Sequence, residues 1–188
     1  EVGTPTLTTS LRGVVNVKVT VRALETAVHS GQFGGAAPDA MAALIAALAS
    51  LRDADGETVI DGLPAHQVWG GADYPAERFR TDAGVLPGVQ VLGRGRPADL
   101  TWSRPAVTVI GVDAPSTTDC ASAIIPTASA MLNLRIPPGV KPQAAFDALE
   151  AHLRSHVPWH AAVEITPDAM GAPFAAQTDG PGYAALIE

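Results

Sequence analysis

Valine recurs at alternate positions in the stretch "GVVNVKVTVR", placing Val15, Val17, Val19 and Val21 on one side and Asn16, Lys18, Thr20 and Arg22 on the other. Side chains alternate across a strand, so the pattern predicts a β-strand with one apolar and one wet face. A glycine-rich turn, "HSGQFGG" at residues 29–35, comes next. Beyond it the period changes: Met41, Leu44, Ile45, Leu48 and Leu51 follow the spacing of a single buried helical stripe. Pro38 suits the first turn of that helix, and Asp53, Asp55 and Gly56 supply the chemistry of a turn that ends it.

Across residues 61–105 the periodicity fades among scattered glycines and prolines, Trp69 and Trp102, and the segment reads as an insertion. "AVTVIGV" at 106–112 is a short apolar strand. In "ASAMLNLRI" the residues Ala130, Leu132, Leu134 and Ile136 alternate with Met131, Asn133 and Arg135, a second half-buried strand. "PPG" ends it, "KPQAAFDALEAHLRSH" spaces Phe146, Leu149 and Leu153 along a helix face until Pro158, and "AAVEITP" supplies a last strand. The order strand, helix, strand, strand, helix, strand is the ferredoxin-like βαββαβ plan. It predicts an α+β two-layer sandwich, with two helices on one face of a four-stranded antiparallel sheet, plus the insertion.

Length and composition sharpen this picture. The 188 residues suffice for one domain with a real core, 47% of them hydrophobic but only 5% aromatic, so the core is expected to be aliphatic. A net charge of −7, with Lys18 and Lys141 the only lysines, gives no phosphate-binding patch and argues against nucleic acid. One cysteine, Cys120, cannot form an internal disulfide and reads as a small buried thiol. No apolar run is long enough to span a bilayer, so the expectation is a cytoplasmic protein with no membrane partner. The linker-like residues 1–10 and 170–188 are expected to join a larger protein.

Several residues invite chemistry. His152, His156 and His160 are spaced four apart, as zinc ligands on one helix face can be, but Pro158 intervenes and no glutamate completes an HExxH pattern. Surface or helix-end histidines are the expectation, and no metal site is assigned. "DADGET" lacks the closing glutamate of a calcium loop and reads as a turn; Arg94 and Arg96 in "GRGRP" read as an exposed loop. Arg135 belongs to the wet face of its strand, where it either meets solvent or grips a carboxylate. His29 is either a structural turn residue or a group presented to a substrate.

Taken together, "SLRG", "HSGQFGG", "IIPTASAMLNLRIPPG" and "GAPFAAQTDGPGYAAL" resemble the lid, or dimerisation, domain of M20-family metallopeptidases, in particular the dipeptidase and carnosinase-like branch. The resemblance covers nearly the whole chain. It implies the same ferredoxin-like fold and a non-catalytic role beside a catalytic domain that holds two zinc ions; none of its ligand segments occurs here, so the chain by itself is expected to hold no cofactor and to be inactive. It further implies a homodimer formed through the lid sheet edge, acting on a peptide-like substrate with a free carboxylate. His29 matches the lid histidine that stabilises the oxyanion, commonly in the partner subunit's site. Arg135 matches the arginine that binds the substrate carboxylate. Ser122 stands where the family often has a substrate-contacting asparagine, and its hydroxyl can still donate a hydrogen bond. A free-standing ferredoxin-like binding or regulatory module is the alternative reading.

Overall fold

The alternating valines form an interior strand of a four-stranded antiparallel sheet in a computed structural model that describes residues 7–187. In chain order the strands and helices are β1 (Ser10–Leu11), β2 (Gly13–Arg22), β3 (Val28–His29), α1 (Ser30–Phe33), α2 (Ala40–Ala49), α3 (Ala76–Asp82), β4 (Ala106–Asp113), β5 (Ala123–Ile124), β6 (Thr127–Ile136), α4 (Pro142–His156), β7 (Ala162–Gly171), β8 (Phe174–Ala175) and α5 (Pro181–Ile187). The main sheet runs β4-β6-β2-β7, with α2 packed on β2 and β6 and α4 on β2 and β7. This is the α+β, ferredoxin-like arrangement that the element order predicts.

Register explains the core. Val15, Val17 and Val19 lie opposite Leu134, Leu132 and Ala130, so the apolar sets of β2 and β6 share one face, and all are buried beneath the helices. The other face is polar: the Asn133 side-chain amide donates to Asn16 Oδ1 at 2.6 Å, and Thr20 and Ser129 hydroxyls meet at 3.1 Å.

The α2 stripe departs from expectation. Asp39 caps the helix by accepting from the backbone N–H groups of Met41 and Ala42. The residues buried against the sheet are Ala40, Ala43, Leu44 and Ala47, whereas Ile45 is 57% exposed. Alanines bring the helix axis close to the sheet, and that rotation turns Ile45, Ala46 and Ala49 outward. No polar residue occurs in "AMAALIAALA", so the outward face of α2 is apolar as well.

The insertion has a small core of its own. Tyr74 stacks on Trp102, which meets Trp69 edge-on, and Phe79 of α3 packs edge-on against Tyr74. Around it, Arg104 pairs with Glu57 at 3.0 Å with both side chains largely buried, and Arg94 pairs with Asp55. Asp99, buried in a π turn, accepts from the Trp69 N–H and from Arg96. The Arg96 hydrogen bonds, then that of Trp69, hold the Asp99 carboxyl below the usual aspartate range.

Cys120 is exposed rather than buried, because the loop before β5 runs over the surface. Residues 1–6 of the expected leading linker lie outside the described residues; Ser10–Leu11 and Phe174–Ala175 pair as β1 and β8, so the two flanking segments run side by side.

Candidate functional site

His29 closes the two-residue ladder of β3 with β5, where it lies opposite Ala123, and serves as the N-cap of α1. Its Nδ1 accepts the Gly31 N–H at 3.0 Å. With Nδ1 engaged as an acceptor, the proton of the neutral ring resides on Nε2, which makes the exposed edge of this side chain a donor. The loop is tied down from across the ladder: the Ser30 N–H and hydroxyl both donate to the Ser122 carbonyl, at 2.9 and 3.0 Å.

The glycines follow from this geometry. A Cβ on Gly31 would lie 2.8 Å from His29 Cε1, and one on Gly34 would lie 2.3 Å from the Ser30 carbonyl oxygen. Gly35 has φ +89°, a left-handed conformation that side chains other than glycine adopt only with strain. The turn is therefore shaped to hold a histidine ring in one orientation at the surface.

Arg135 is exposed on the polar face at the far end of β6, opposite Val14 on one side and Ala106 on the other. Sequence patterning missed its neighbour. Arg12, in the irregular step between β1 and β2, is half-buried and carries a buried Nη1 with no hydrogen-bond partner among the described residues. Burial, and then the positive charge of Arg135, lower its pKa. Two guanidinium groups with no carboxylate paired to either among the described residues form an anion-seeking pair. Arg12 also borders a largely apolar cavity of about 650 Å³ between β4 and the insertion, with Arg104, Phe79 and Leu100 among its other walls.

The structure brings His29 and Ser122 together but keeps Arg135 apart from them. His29 and Ser122 lie beyond the Thr127 end of β6, and Arg135 lies near its Ile136 end. At about 3.3 Å per residue, the eight steps from Thr127 to Arg135 span roughly 25 Å. Of the three histidines, His152 and His156 stay together, with their rings stacked at 4.0 Å, and His160 departs. His152 is buried and contacts Ser50, where the sequence predicts a surface or helix-end residue, and His156 ends α4. His160 lies past Pro158 in a short left-handed turn with φ 55°.

A family model for the peptidase dimerisation domain of M20 enzymes matches residues 9–161. The chain belongs to that family. This dimerisation domain is 44% identical over 185 residues to a cysteinylglycine-S-conjugate dipeptidase of Corynebacterium striatum, covering 96% of this chain and 40% of the relative. Among solved structures, human carnosine dipeptidase 1 superposes with a TM-score of 0.73 at 22% identity, covering 96% of this chain and 41% of the other. The dipeptidase Dug1p of Saccharomyces cerevisiae gives 0.75 at 19% identity, over 96% and 40%. The chain thus spans about two-fifths of the length of these relatives. Within the dimerisation domain, no helix among the described residues is long and apolar enough to cross a membrane.

Proposed function

We propose that this domain is the lid and dimerisation part of a dipeptidase that hydrolyses an amide bond next to a free carboxylate, and that it completes each active site with groups from two protomers. The observation that carries this reading is the separation of His29 from Arg135. A dipeptide's scissile carbonyl and terminal carboxylate are only a few ångströms apart, so two residues separated by the length of β6, roughly 25 Å, cannot hold both. A second copy related by a two-fold axis resolves the conflict, by bringing His29 of one lid to the substrate gripped by Arg135 of the other.

The surface supports one edge for that axis. On β7, Pro167, Glu164 and Asp168 interrupt the edge with a missing donor and charges, devices that discourage strand pairing. On β4, Val109, Ile110 and Val112 are all exposed, and α2, packed on the adjacent β6, exposes Ile45, Ala46 and Ala49. An open edge strand next to an apolar helix face is suited to a second copy of itself.

In the proposed reaction two zinc ions, held outside this chain, supply an activated water and polarise the carbonyl when bound. The residues of this chain do the rest. Arg135, with Arg12 behind it, fixes the carboxylate and so the register of the substrate. His29 Nε2–H donates to the carbonyl oxygen as negative charge develops there, an interaction that strengthens toward the transition state. Ser122, through its backbone carbonyl, anchors the histidine loop; its hydroxyl adjoins the same site. The pairing of β1 with β8 supports insertion within a catalytic domain, since the chain enters and leaves the sheet side by side. By the name of its Corynebacterium relative, cysteinylglycine conjugates are the substrate class to assay first.

The test is His29→Ala in the complete zinc-loaded enzyme. It is expected to lower kcat by about 10²- to 10³-fold, the cost of one oxyanion donor, with zinc content unchanged. Unaltered kcat removes His29 from the reaction and with it this reading.

A further inference from the structure

Two histidines and an aspartate that take no part in the proposed reaction converge where the last turn of α4 meets the loop after α2. Asp61, His152 and His156 each offer one donor atom, and these atoms lie within 4.8 Å of one another. His152 and His156 are four residues apart on one helix face, with their rings stacked at 4.0 Å.

The hydrogen bonds fix the protonation pattern. His152 Nε2 lies 3.2 Å from the Ser50 carbonyl, which can only accept, and 3.1 Å from the Ser50 hydroxyl. Nε2 therefore carries the proton, and Nδ1 keeps a lone pair, toward which the Asp61 N–H points at 3.2 Å. His156 Nδ1 lies 2.8 Å from the His152 carbonyl, which makes it the protonated nitrogen and leaves Nε2 with the lone pair. The Ser155 hydroxyl completes this shell, 3.0 Å from His156 Nδ1. An imidazole with one nitrogen donating to a backbone carbonyl and the other unprotonated is the arrangement found around metal-ligating histidines.

A second feature calls for a cation. The Asp61 carboxylate Oδ2 lies 3.1 Å from the lone-pair nitrogen of His152, an acceptor facing an acceptor. The Asp61 N–H donates to that nitrogen, and a cation that took over the lone pair would turn the carboxylate contact from repulsive to attractive. The C-terminal end of α4, with its partial negative charge, favours a cation at the same place.

We propose that Asp61, His152 and His156 form a binding site for one divalent ion of the zinc class. Two imidazoles and a carboxylate are borderline donors that suit Zn²⁺, and a fourth position stays open to water. Tetrahedral bonds of about 2.0–2.1 Å put donors roughly 3.3 Å apart. Asp61 and His156 are both exposed, and closing the remaining gap requires His156 to turn from its stack on buried His152, the fixed point. An ion bound there ties α4 to the start of the insertion.

The test is titration of the chelator-treated chain, without an affinity tag, with zinc chloride alone near neutral pH, followed by calorimetry and by thermal unfolding. Cobalt(II) absorption reports the coordination. The proposal expects one ion per chain, a rise in Tm, a cobalt spectrum of low coordination number, and affinity reduced by more than about tenfold in His156→Ala and in Asp61→Asn. His160→Ala should bind as the wild type does. Both ligand variants alter exposed side chains, so loss of binding with an unchanged circular dichroism spectrum counts for the site. Absence of saturable binding at millimolar zinc, or equal affinity in His156→Ala, overturns the proposal.

Discussion

Replacing Gly31 by alanine perturbs the proposed oxyanion donor without touching it. The new Cβ would lie 2.8 Å from His29 Cε1 and 3.2 Å from Nδ1. Carbon atoms in contact settle at about 3.5–4.0 Å, so the imidazole must retreat by close to an ångström. A misplacement of about 1 Å in a catalytic group costs on the order of 10²-fold in rate. Gly31→Ala is therefore expected to lower kcat by about 10²-fold, most of the way to the effect of His29→Ala. Stability should hold, because alanine is favoured over glycine in a helical turn by up to about 1 kcal/mol and the displaced ring is exposed. Steady-state kinetics of the complete enzyme, with zinc content and Tm measured on the same preparation, decide the matter. Wild-type kcat in Gly31→Ala alongside a large loss in His29→Ala would refute the claim that this glycine positions the ring.

Three further outcomes are expected. Ile45→Glu places a charge on the exposed apolar face of α2 and should turn a dimer into a monomer in light scattering across a dilution series; an unchanged dimer moves the interface elsewhere. Arg135→Met should reduce kcat/KM by about 10- to 150-fold, the cost of a charged hydrogen bond of about 1.5–3 kcal/mol, with Arg12→Met acting in the same direction; neutral kinetics in both dismiss the carboxylate grip. The Asp99 carboxyl titrates below its unfolded value, so its contribution is complete above the ordinary aspartate pKa of about 3.9 and is lost as pH falls through the depressed folded value. Fluorescence of Trp69 and Trp102 should report a loosening of the insertion in that acid range, and Asp99→Asn should abolish the acid step.

Much of the fold was legible because strand alternation is dictated by burial of one face. Val15 to Val21 and Leu132 to Ile136 carry that signal without interruption, and their pairing in the sheet follows it residue by residue. The α2 stripe misled for a physical reason: hydropathy ranks Ile45 as core, yet alanines pack closest to a sheet, and the larger side chain was displaced toward a surface that a single chain leaves open. Cys120 misled likewise, since a thiol's preference for the interior is weak against a loop that must stay outside. The order in residues 61–105 comes from ion pairs and stacked aromatics contributed by distant positions, which leave no periodicity to read. His29 and Arg135 were singled out by their motifs, and their roles rest on the proposal above. Arg12 was not, since its unpartnered nitrogen becomes visible only once the ends of β2 and β6 lie together. His152 was likewise hidden until α2 and α4 met at Ser50.

The central claim is that one active site takes His29 from one protomer and Arg135 from another. It is tested most directly by mixing two impaired forms of the complete enzyme, His29→Ala and Arg135→Met, at subsaturating substrate and under conditions that let subunits exchange. Each mixed dimer then holds one site with both residues intact and one with neither. Random exchange makes half the dimers mixed, so activity should recover to about a quarter of the wild-type level in a two-fold symmetric dimer. If the mixture stays as impaired as its parents after exchange is demonstrated, both residues serve the same chain's site and the account is contradicted.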